Sequence, residues 1–296
     1  MNEILLTLTI GAAAALYSSV GHGGASAYIA LLTLAGKLRP EVAATILLMN
    51  IVVSSQAWFR FRQSGHFDAR LATTLLLFSA PAAFVGGMIA TSSRFFMVLV
   101  GLALLIAAAR LILPDPRSRT IQRPIGASLW ILSAIIGVGL GMLAGLTGVG
   151  GGIYLGPILI LLGWQDAKGT AGISAAFIAV NSVTGLIGRF VRGSFIDWSL
   201  LPLLVAVLIG GFIGAWWGAK HATPITVRRL LGVDSLAFLS VDGLYEAVER
   251  RPRDPSSPAY TDHCFTGAYP TKLVDIEEAA RSASIVQGSF LAAESR

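Results

Sequence analysis

The sequence predicts an all-α protein that crosses a membrane several times and consists of two inverted repeats with glycine-broken helices. Of its 296 residues, 54% are hydrophobic and 13% are charged, whereas a soluble domain carries about 25% charged residues. Two of its long apolar runs are interrupted by clusters of glycine, and the landmarks around these clusters recur in order in the second half of the chain. Composition therefore predicts the membrane class, and the repetition predicts the arrangement within it.

Seven apolar runs are almost free of charge, and each is as long as the roughly 17–20 residues that a helix needs to cross a bilayer. The first run is interpreted as membrane structure and not as a signal peptide, because Glu3 is its only early charge and it continues far past a signal-peptide core. The runs are Leu5–Ala35, Val42–Phe59, Leu71–Ala90, Phe95–Leu113, Ile125–Leu162, Ala171–Ile187 and Leu200–Ala219.

The first and fifth runs are too long for a single crossing. At 1.5 Å per residue, Leu5–Ala35 would extend about 46 Å and Ile125–Leu162 about 57 Å, against roughly 30 Å of hydrocarbon. Each contains a glycine cluster, at Gly21–Gly24 in the first run and at Gly148–Gly152 in the fifth. Each run is therefore predicted to form two segments that meet at the break.

The repetition extends beyond the glycine clusters. The next span of each half contains an asparagine, Asn50 or Asn181, and residues 60–68 and 189–197, which follow, both begin with Arg-Phe and end in Asp. Glycine pairs recur in a later span of both halves, at residues 86–87 and 210–211. We therefore predict a first transmembrane repeat over 1–113, a cytoplasmic linker over 114–124, a second and incomplete repeat over 125–233, and a soluble tail over 234–296.

Loop charge predicts that the two repeats are inverted. If both long runs cross twice, the loops on one side hold eleven Lys and Arg residues and those on the other side hold five, whereas single crossings give nine against seven. Because Lys and Arg concentrate in cytoplasmic loops, the sharper split favours double crossings and places the linker in the cytoplasm. The odd number of crossings in each half then inverts one repeat relative to the other.

Charge and cysteine content argue against several classes of function. The net charge is +10 up to Val233 and −4 from Asp234 onward, and the arginines lie beside spans and not on one polar face. Nucleic-acid binding is therefore not expected. The single cysteine, Cys264, excludes an internal disulfide and a cysteine metal cluster. No enzyme activity, cofactor or metal is expected; the expected partners are a small anion and the lipid bilayer, and the oligomeric state stays open.

The glycine breaks form the candidate site. Irregular backbone within a bilayer survives only where it is buried in protein or lines a cavity, and glycine lets backbone N–H groups face a ligand. A helix that starts near Ile153 would offer unpaired N–H groups and a positive dipole end to an anion. The spans are expected to bury no acidic or basic side chain, which argues against a carboxylate relay. The predicted substrate-binding residues are Gly21, His22, Gly23, Gly24, Asn50, Thr147, Gly148, Gly150, Gly151, Gly152 and Asn181.

These residues also have plainer interpretations. Membrane glycines commonly permit close helix packing, and scattered serines such as Ser174 and Ser182 are individually typical of packing too; it is the duplication of the break that favours a site. His22 could couple protons to anion movement, or could simply bond to nearby backbone. Four arginines that could guide anions could instead reach out from span ends and set topology. They are Arg60, Arg62, Arg189 and Arg192.

The second glycine break, with Ala144–Thr147 before it and Pro157 after it, and the paired halves resemble the TauE/SafE family of sulfite and sulfonate exporters. The resemblance covers residues 5–233. It implies a multi-span carrier of sulfite, sulfonates or related organic anions in the cell membrane, specifically a bacterial inner membrane. The first break departs from the family pattern at Ala25, where a further glycine is expected.

The C-terminal segment departs from the repeat, which predicts one more span after Val233. Residues 234–244 and 262–270 instead resemble the C-terminal tail of glutamine amidophosphoribosyltransferase, without the N-terminal cysteine nucleophile or the phosphoribosyl-pyrophosphate loop of that family. His263 and Cys264 are adjacent, and adjacent residues rarely face each other productively. The tail is interpreted as a fusion or frameshift remnant. A nonfunctional truncated carrier and a fragment of the purine-synthesis enzyme stand as alternatives.

Overall fold

The computed structural model describes residues 3–37, 42–89, 124–224, 226–227 and 230. The chain divides into units at residues 1–253 and 254–296, and all described residues belong to the first unit. The predicted span Phe95–Leu113, nearly all of the linker and the tail over 234–296 lie outside the described residues. Within the described ranges the chain forms helices and no strand. They are α1 (Glu3–Ser19), α2 (Ala25–Leu34), α3 (Val42–Gln63), α4 (Ala69–Met88), α5 (Ala127–Thr147), α6 (Gly152–Leu161), α7 (Ala167–Val191) and α8 (Leu201–Lys220), with a 3-10 turn at Trp198–Leu200 before α8.

Both overlong apolar runs are split at their glycine clusters, as predicted. The first run forms α1 and α2, and the second forms α5 and α6. In the described part of the chain, five helices are long and apolar enough to cross a membrane, namely α3, α4, α5, α7 and α8 with its preceding 3-10 turn. The helices α1 and α6 are also apolar but shorter. The prediction of an all-α, multi-pass membrane protein is confirmed.

A stripe of three glycines lets α5 contact the backbone of α4. Gly137, Gly141 and Gly145 lie four residues apart on one face of α5, and a Cβ added to each would lie 2.8, 2.3 and 2.1 Å from backbone oxygens of α4. No side chain larger than hydrogen fits at these distances. The two helices therefore pack backbone to backbone, as small residues allow in membranes.

An equivalent stripe lies in the other half on α8, which packs against α1. A Cβ added to Gly210, Gly214 or Gly218 would lie 2.0, 1.9 or 2.0 Å from backbone oxygens of α1. The contact between α4 and α5 therefore has a counterpart in the contact between α8 and α1. Both join the last described helix of one half to the first helix of the other.

The remaining helix contacts also occur in pairs, in which each contact in one half has a counterpart in the other half. The helices α3 and α7 pack against each other, α4 packs against α7 as α8 packs against α3, and each short helix packs against the long helix that follows it. Among the candidate spans α7 is the most buried, with 78% of its apolar window inside the bundle. The paired contacts are those expected of a duplication with α3 and α7 at its centre; the inversion of the repeats stays a prediction.

The two short helices begin near the middle of these central helices. Ala25, the first residue of α2, donates its backbone N–H to Asn50 of α3. Gly152, the first residue of α6, lies against Ser174 and Ile178 of α7. Both N-termini thus lie inside the bundle, and this placement positions the candidate site.

Candidate functional site

The first break is a tight turn between α1 and α2 that presses against α7. Gly21 and Gly24 have φ angles of 81° and 84°, which side chains other than glycine adopt at a cost of roughly 1–2 kcal/mol. The backbone N–H of His22 donates to the carbonyl of Tyr17 at 2.9 Å. A Cβ added to Gly21 would lie 2.1 Å from the carbonyl oxygen of Ala171. Gly21 therefore fixes the position of the turn.

The second break contains three left-handed glycines within four residues. Gly148, Gly150 and Gly151 have φ angles of 75°, 81° and 74°. Gly148 ends α5, and Gly151 precedes α6, whose N-terminus receives no side-chain cap. Thr147 holds the turn, because its hydroxyl donates to the carbonyl of Leu143 at 2.8 Å and accepts from the N–H of Val149 at 3.3 Å. The carbonyl of Gly151 accepts the N–H groups of Tyr154 and Leu155 at 3.2 and 3.3 Å. The N–H groups of Gly152 and Ile153 come before this first turn and are available to a ligand.

Asn50 contacts both breaks. It is fully buried, and its Oδ1 accepts the N–H of Ala25 at 3.1 Å. A Cβ added to Gly23 would lie 2.3 Å from that Oδ1, and one added to Gly150 would lie 3.3 Å from Nδ2. The Nδ2 group has no hydrogen-bond partner among the described residues. One side-chain amide therefore stabilises the first break and directs a donor towards the second.

A small, partly open cavity adjoins both breaks. The first break and the start of α2 form one wall, the second break and the start of α6 form another, and α7 contributes Ile178. The lining residues are Tyr17, His22, Gly23, Gly24, Ala25, Ser26, Val149, Ile153 and Ile178. The two halves of the chain thus contribute to one cavity.

Further buried hydroxyl groups surround this cavity. Ser174 and Ser182 lie one turn before and one turn after Ile178 on α7, and Tyr28 lies directly against Gly24. All three side chains are fully buried, and their hydroxyls have no hydrogen-bond partner among the described residues. Buried polar groups are ordinarily paired, so these hydroxyls suit a polar ligand. From the sequence, Ser174 and Ser182 are polar candidates that could equally serve packing, because isolated serines are common in membrane helices.

The two asparagines that match in sequence occupy different surroundings. The Oδ1 of Asn181 accepts the hydroxyl of Ser79 at 3.0 Å, and both side chains are fully buried. Asn181 therefore links α7 to α4 and does not line the cavity, whereas Asn50 links the two breaks. Of the other predicted site residues, Gly151 and Gly152 pack against α5 and α7 at the start of α6.

The helix α7 extends beyond the predicted span Ala171–Ile187 at both ends, and each extension buries a basic side chain. Lys168 and Arg189 are each only 8% exposed. The Nζ of Lys168 donates to the carbonyl of Ala219 at 3.2 Å, at the end of α8. The Nη2 of Arg189 donates to the carbonyls of Gly145 and Leu146 at 3.3 and 3.2 Å, at the end of α5. Each cation satisfies unpaired carbonyls at a negative helix end.

His66 lies in the turn between α3 and α4, close to the N-terminus of α7. Burial lowers the pKa of its imidazole from the ordinary value of 6.5, Lys168 lowers this pKa further, and Asp166 acts in the opposite direction. Its carbonyl oxygen packs against Gly172 of α7. The folded protein therefore binds this proton more weakly than the unfolded chain does.

Acid should destabilise the protein through His66. Because the unfolded chain takes up this proton first, the stability that neutral His66 contributes is present above about pH 6.5 and is lost as the pH falls from there towards the lowered folded pKa. We expect the melting temperature of the detergent-solubilised protein to fall between pH 7 and pH 5.5, and to fall less in His66→Gln. Identical profiles for the two proteins would contradict this.

Comparison with known proteins identifies the family of this helical protein. A sequence model of the family described as Sulfite exporter TauE/SafE matches residues 6–239. The chain belongs to the TauE/SafE family. The TauE/SafE protein is also 30% identical over 239 residues to the probable membrane transporter protein y4hK of Sinorhizobium fredii, across 77% of this chain and 91% of that relative. No solved structure matches it. The resemblance drawn from the glycine motif is confirmed.

A second likeness concerns a short segment only. The amidophosphoribosyltransferase of Rhizobium etli is 50% identical over 56 residues, and that of Drosophila melanogaster is 45% identical over 62 residues. In both cases the match covers 19% of this TauE/SafE chain and 11% of the enzyme. The chain therefore spans about a tenth of the length of these enzymes. The predicted likeness of the C-terminal tail is confirmed; His263 and Cys264 lie outside the described residues.

Proposed function

We propose that this TauE/SafE protein carries small anions, specifically sulfite, sulfonates or related organic anions, and binds them in the cavity between the two glycine breaks. The observation that carries the proposal is the position of Asn50, whose amide contacts Gly23 of the first break and Gly150 of the second. The two breaks therefore act as one site in this proposal, and not as two separate turns.

The proposed site recognises negative charge without a lysine or arginine in its lining. The helices α2 and α6 both direct their N-termini at the cavity, and each N-terminus carries the equivalent of roughly half a positive charge. No acidic residue is among the residues that line the cavity. Asn50 Nδ2 and the hydroxyls of Ser174 and Ser182 supply further donors in the immediate surroundings. Neutral donors of this kind suit the oxygens of a small oxyanion.

The remaining predicted residues have shaping roles in this proposal. Gly21 and Gly151 give the backbone its close approach to neighbouring helices, and Thr147 and Gly148 end α5. We further propose that the repeats are inverted around the site, which the uneven loop charge and the exchange of helix contacts between the halves support. Rocking of one repeat against the other would then expose the cavity alternately to the two sides of the membrane.

Transport by the purified protein tests the proposal. The full chain in proteoliposomes should take up at least one of sulfite, short alkyl sulfonates and small carboxylates, with a rate that saturates as the anion concentration rises. Liposomes without protein give the background. No uptake above background across this panel would contradict the proposal, and would favour a truncated carrier without function.

His22 is the predicted source of any proton coupling. Its side chain is 1% exposed and lines the cavity, where protonation would add a positive charge beside the anion. We expect His22→Gln to transport the same anion with an uptake rate that depends less on pH. A pH profile that matches the wild type would remove His22 from any coupling mechanism.

A further inference from the structure

Arg189 lies on the face of α7 that borders the cavity. Ile178, which lines the cavity, is followed by Ser182 four residues later and by Arg189 a further seven residues on, and this spacing places all three on one face of the helix. The same face therefore connects the cavity, a buried hydroxyl and a buried cation, in this order towards the end of α7.

The guanidinium lies directly beside the second break. A Cβ added to Gly148 would lie 3.2 Å from Nη2 of Arg189, and the next residue, Val149, lines the cavity. The Nη2 group donates to the carbonyls of Gly145 and Leu146, whereas the buried Nε of Arg189 has no hydrogen-bond partner among the described residues. The guanidinium is thus held through Nη2, and its Nε remains available to another acceptor.

Within the described part of the chain, no carboxylate pairs with this buried charge. Among the residues that the structure describes, the ion pair joins Lys37 to Glu3 and none involves Arg189. The negative end of the α5 dipole, equivalent to about half an elementary charge, offsets the guanidinium in part. A buried cation without a counter-charge is costly, and an ionisable residue within a membrane bundle most often serves function.

We propose that Arg189 is the counter-charge of the transported anion, an inference that rests on the proposed function. The anion moves along the α7 face between the cavity and the end of the bundle where α5 and α7 end, and the guanidinium pairs with it there through its Nε and Nη groups. A planar guanidinium holds two oxygens of one anion at once, so this site selects oxyanions over spherical anions such as chloride.

Arg60 provides a matched control. It occupies the same place in the first-half landmark as Arg189 does in the second, yet it is half-buried and stacks over the ring of Phe212 with its Cζ 4.6 Å from the ring centroid. The two arginines therefore share a sequence context and differ in burial and surroundings. A general effect of removing a positive charge near a span end would appear in both variants.

The experiment compares Arg189→Gln, Arg189→Lys and Arg60→Gln in proteoliposomes, with sulfite as the transported anion and chloride as the competitor. We expect Arg189→Gln to lower kcat/KM for sulfite at least tenfold and to reduce the preference for sulfite over chloride, and Arg60→Gln to stay within twofold of the wild type. Arg189→Lys keeps the charge but cannot bind two oxygens as a fork, so it should also lose preference for sulfite; it replaces Arg189→Gln if that variant fails to fold.

The outcomes separate the inference from the function on which it rests. If the wild type takes up no anion, the proposed function fails. If the wild type transports sulfite and both Arg189 variants keep its kcat/KM and its preference over chloride, only the assignment of Arg189 is overturned. Equal losses in the Arg60 and Arg189 variants would likewise overturn it, since they would reflect general surface charge.

Discussion

Alanine in place of Gly145 should lower the free energy of unfolding by about 3 kcal/mol. The added Cβ would lie 2.1 Å from the carbonyl oxygen of Ala83 and 2.6 Å from the backbone nitrogen of Gly87, and neither backbone atom can move without shifting α4. The substitution therefore separates two helices that now pack backbone to backbone. Equilibrium unfolding of the detergent-solubilised protein by added denaturant measures the loss.

Gly139→Ala is the control for this prediction. Gly139 lies on the same helix, α5, but a Cβ there has nothing within 4 Å. Since alanine favours a helix over glycine by up to about 1 kcal/mol, this variant should be as stable as the wild type or slightly more stable. If Gly145→Ala and Gly139→Ala lowered the free energy of unfolding equally, the contact between α4 and α5 would not be the cause of the loss.

Gly23→Ala should reduce anion uptake at least about fivefold while leaving the protein folded. The φ angle of Gly23 does not lie in the left-handed region, so alanine meets no backbone strain there. Its Cβ would instead lie 2.3 Å from Oδ1 of Asn50 and displace the amide from Ala25. Loss of such a buried hydrogen bond costs about 1–3 kcal/mol, which corresponds to roughly 5- to 150-fold in binding. The initial uptake rate in proteoliposomes is the measurement.

A melting curve distinguishes this effect from unfolding. Gly23→Ala should melt cooperatively, and Gly139→Ala, tested in parallel, should transport at the wild-type rate. If Gly23→Ala folds and keeps wild-type uptake, Asn50 does not organise the site in the way that its contacts indicate.

The positions of the helices could be predicted from the sequence because the thickness of the bilayer limits the length of a membrane-spanning helix. Runs longer than the hydrocarbon thickness must break, and glycine clusters mark where Leu5–Ala35 and Ile125–Leu162 do so. Duplication of these clusters in similar surroundings also indicates that they matter together. The proximity of Gly23 and Gly150 could thus be anticipated in outline, although not the cavity or the residues that line it.

The burial of Arg189 and the different surroundings of Asn50 and Asn181 were not predicted, because they depend on which helices pack against each other. Arg189 stands near a span end, where arginines commonly set topology, and only the position of α5 reveals that its guanidinium is buried against the carbonyls of Gly145 and Leu146. Asn50 and Asn181 match in sequence, yet only one lies between the breaks because α4 brings Ser79 to the other. Spacing along one chain does not encode such contacts between distant helices.

The stoichiometry of anion binding tests most directly whether the two breaks form one site. Calorimetric titration of the purified wild-type protein with sulfite should give saturable binding of one anion per chain, and Gly23→Ala, whose added Cβ lies in the first break, should weaken that binding by roughly 5- to 150-fold. Two anions per chain, with one binding event surviving in Gly23→Ala, would show that the breaks act separately. That result, or no saturable binding at all, would contradict the shared site.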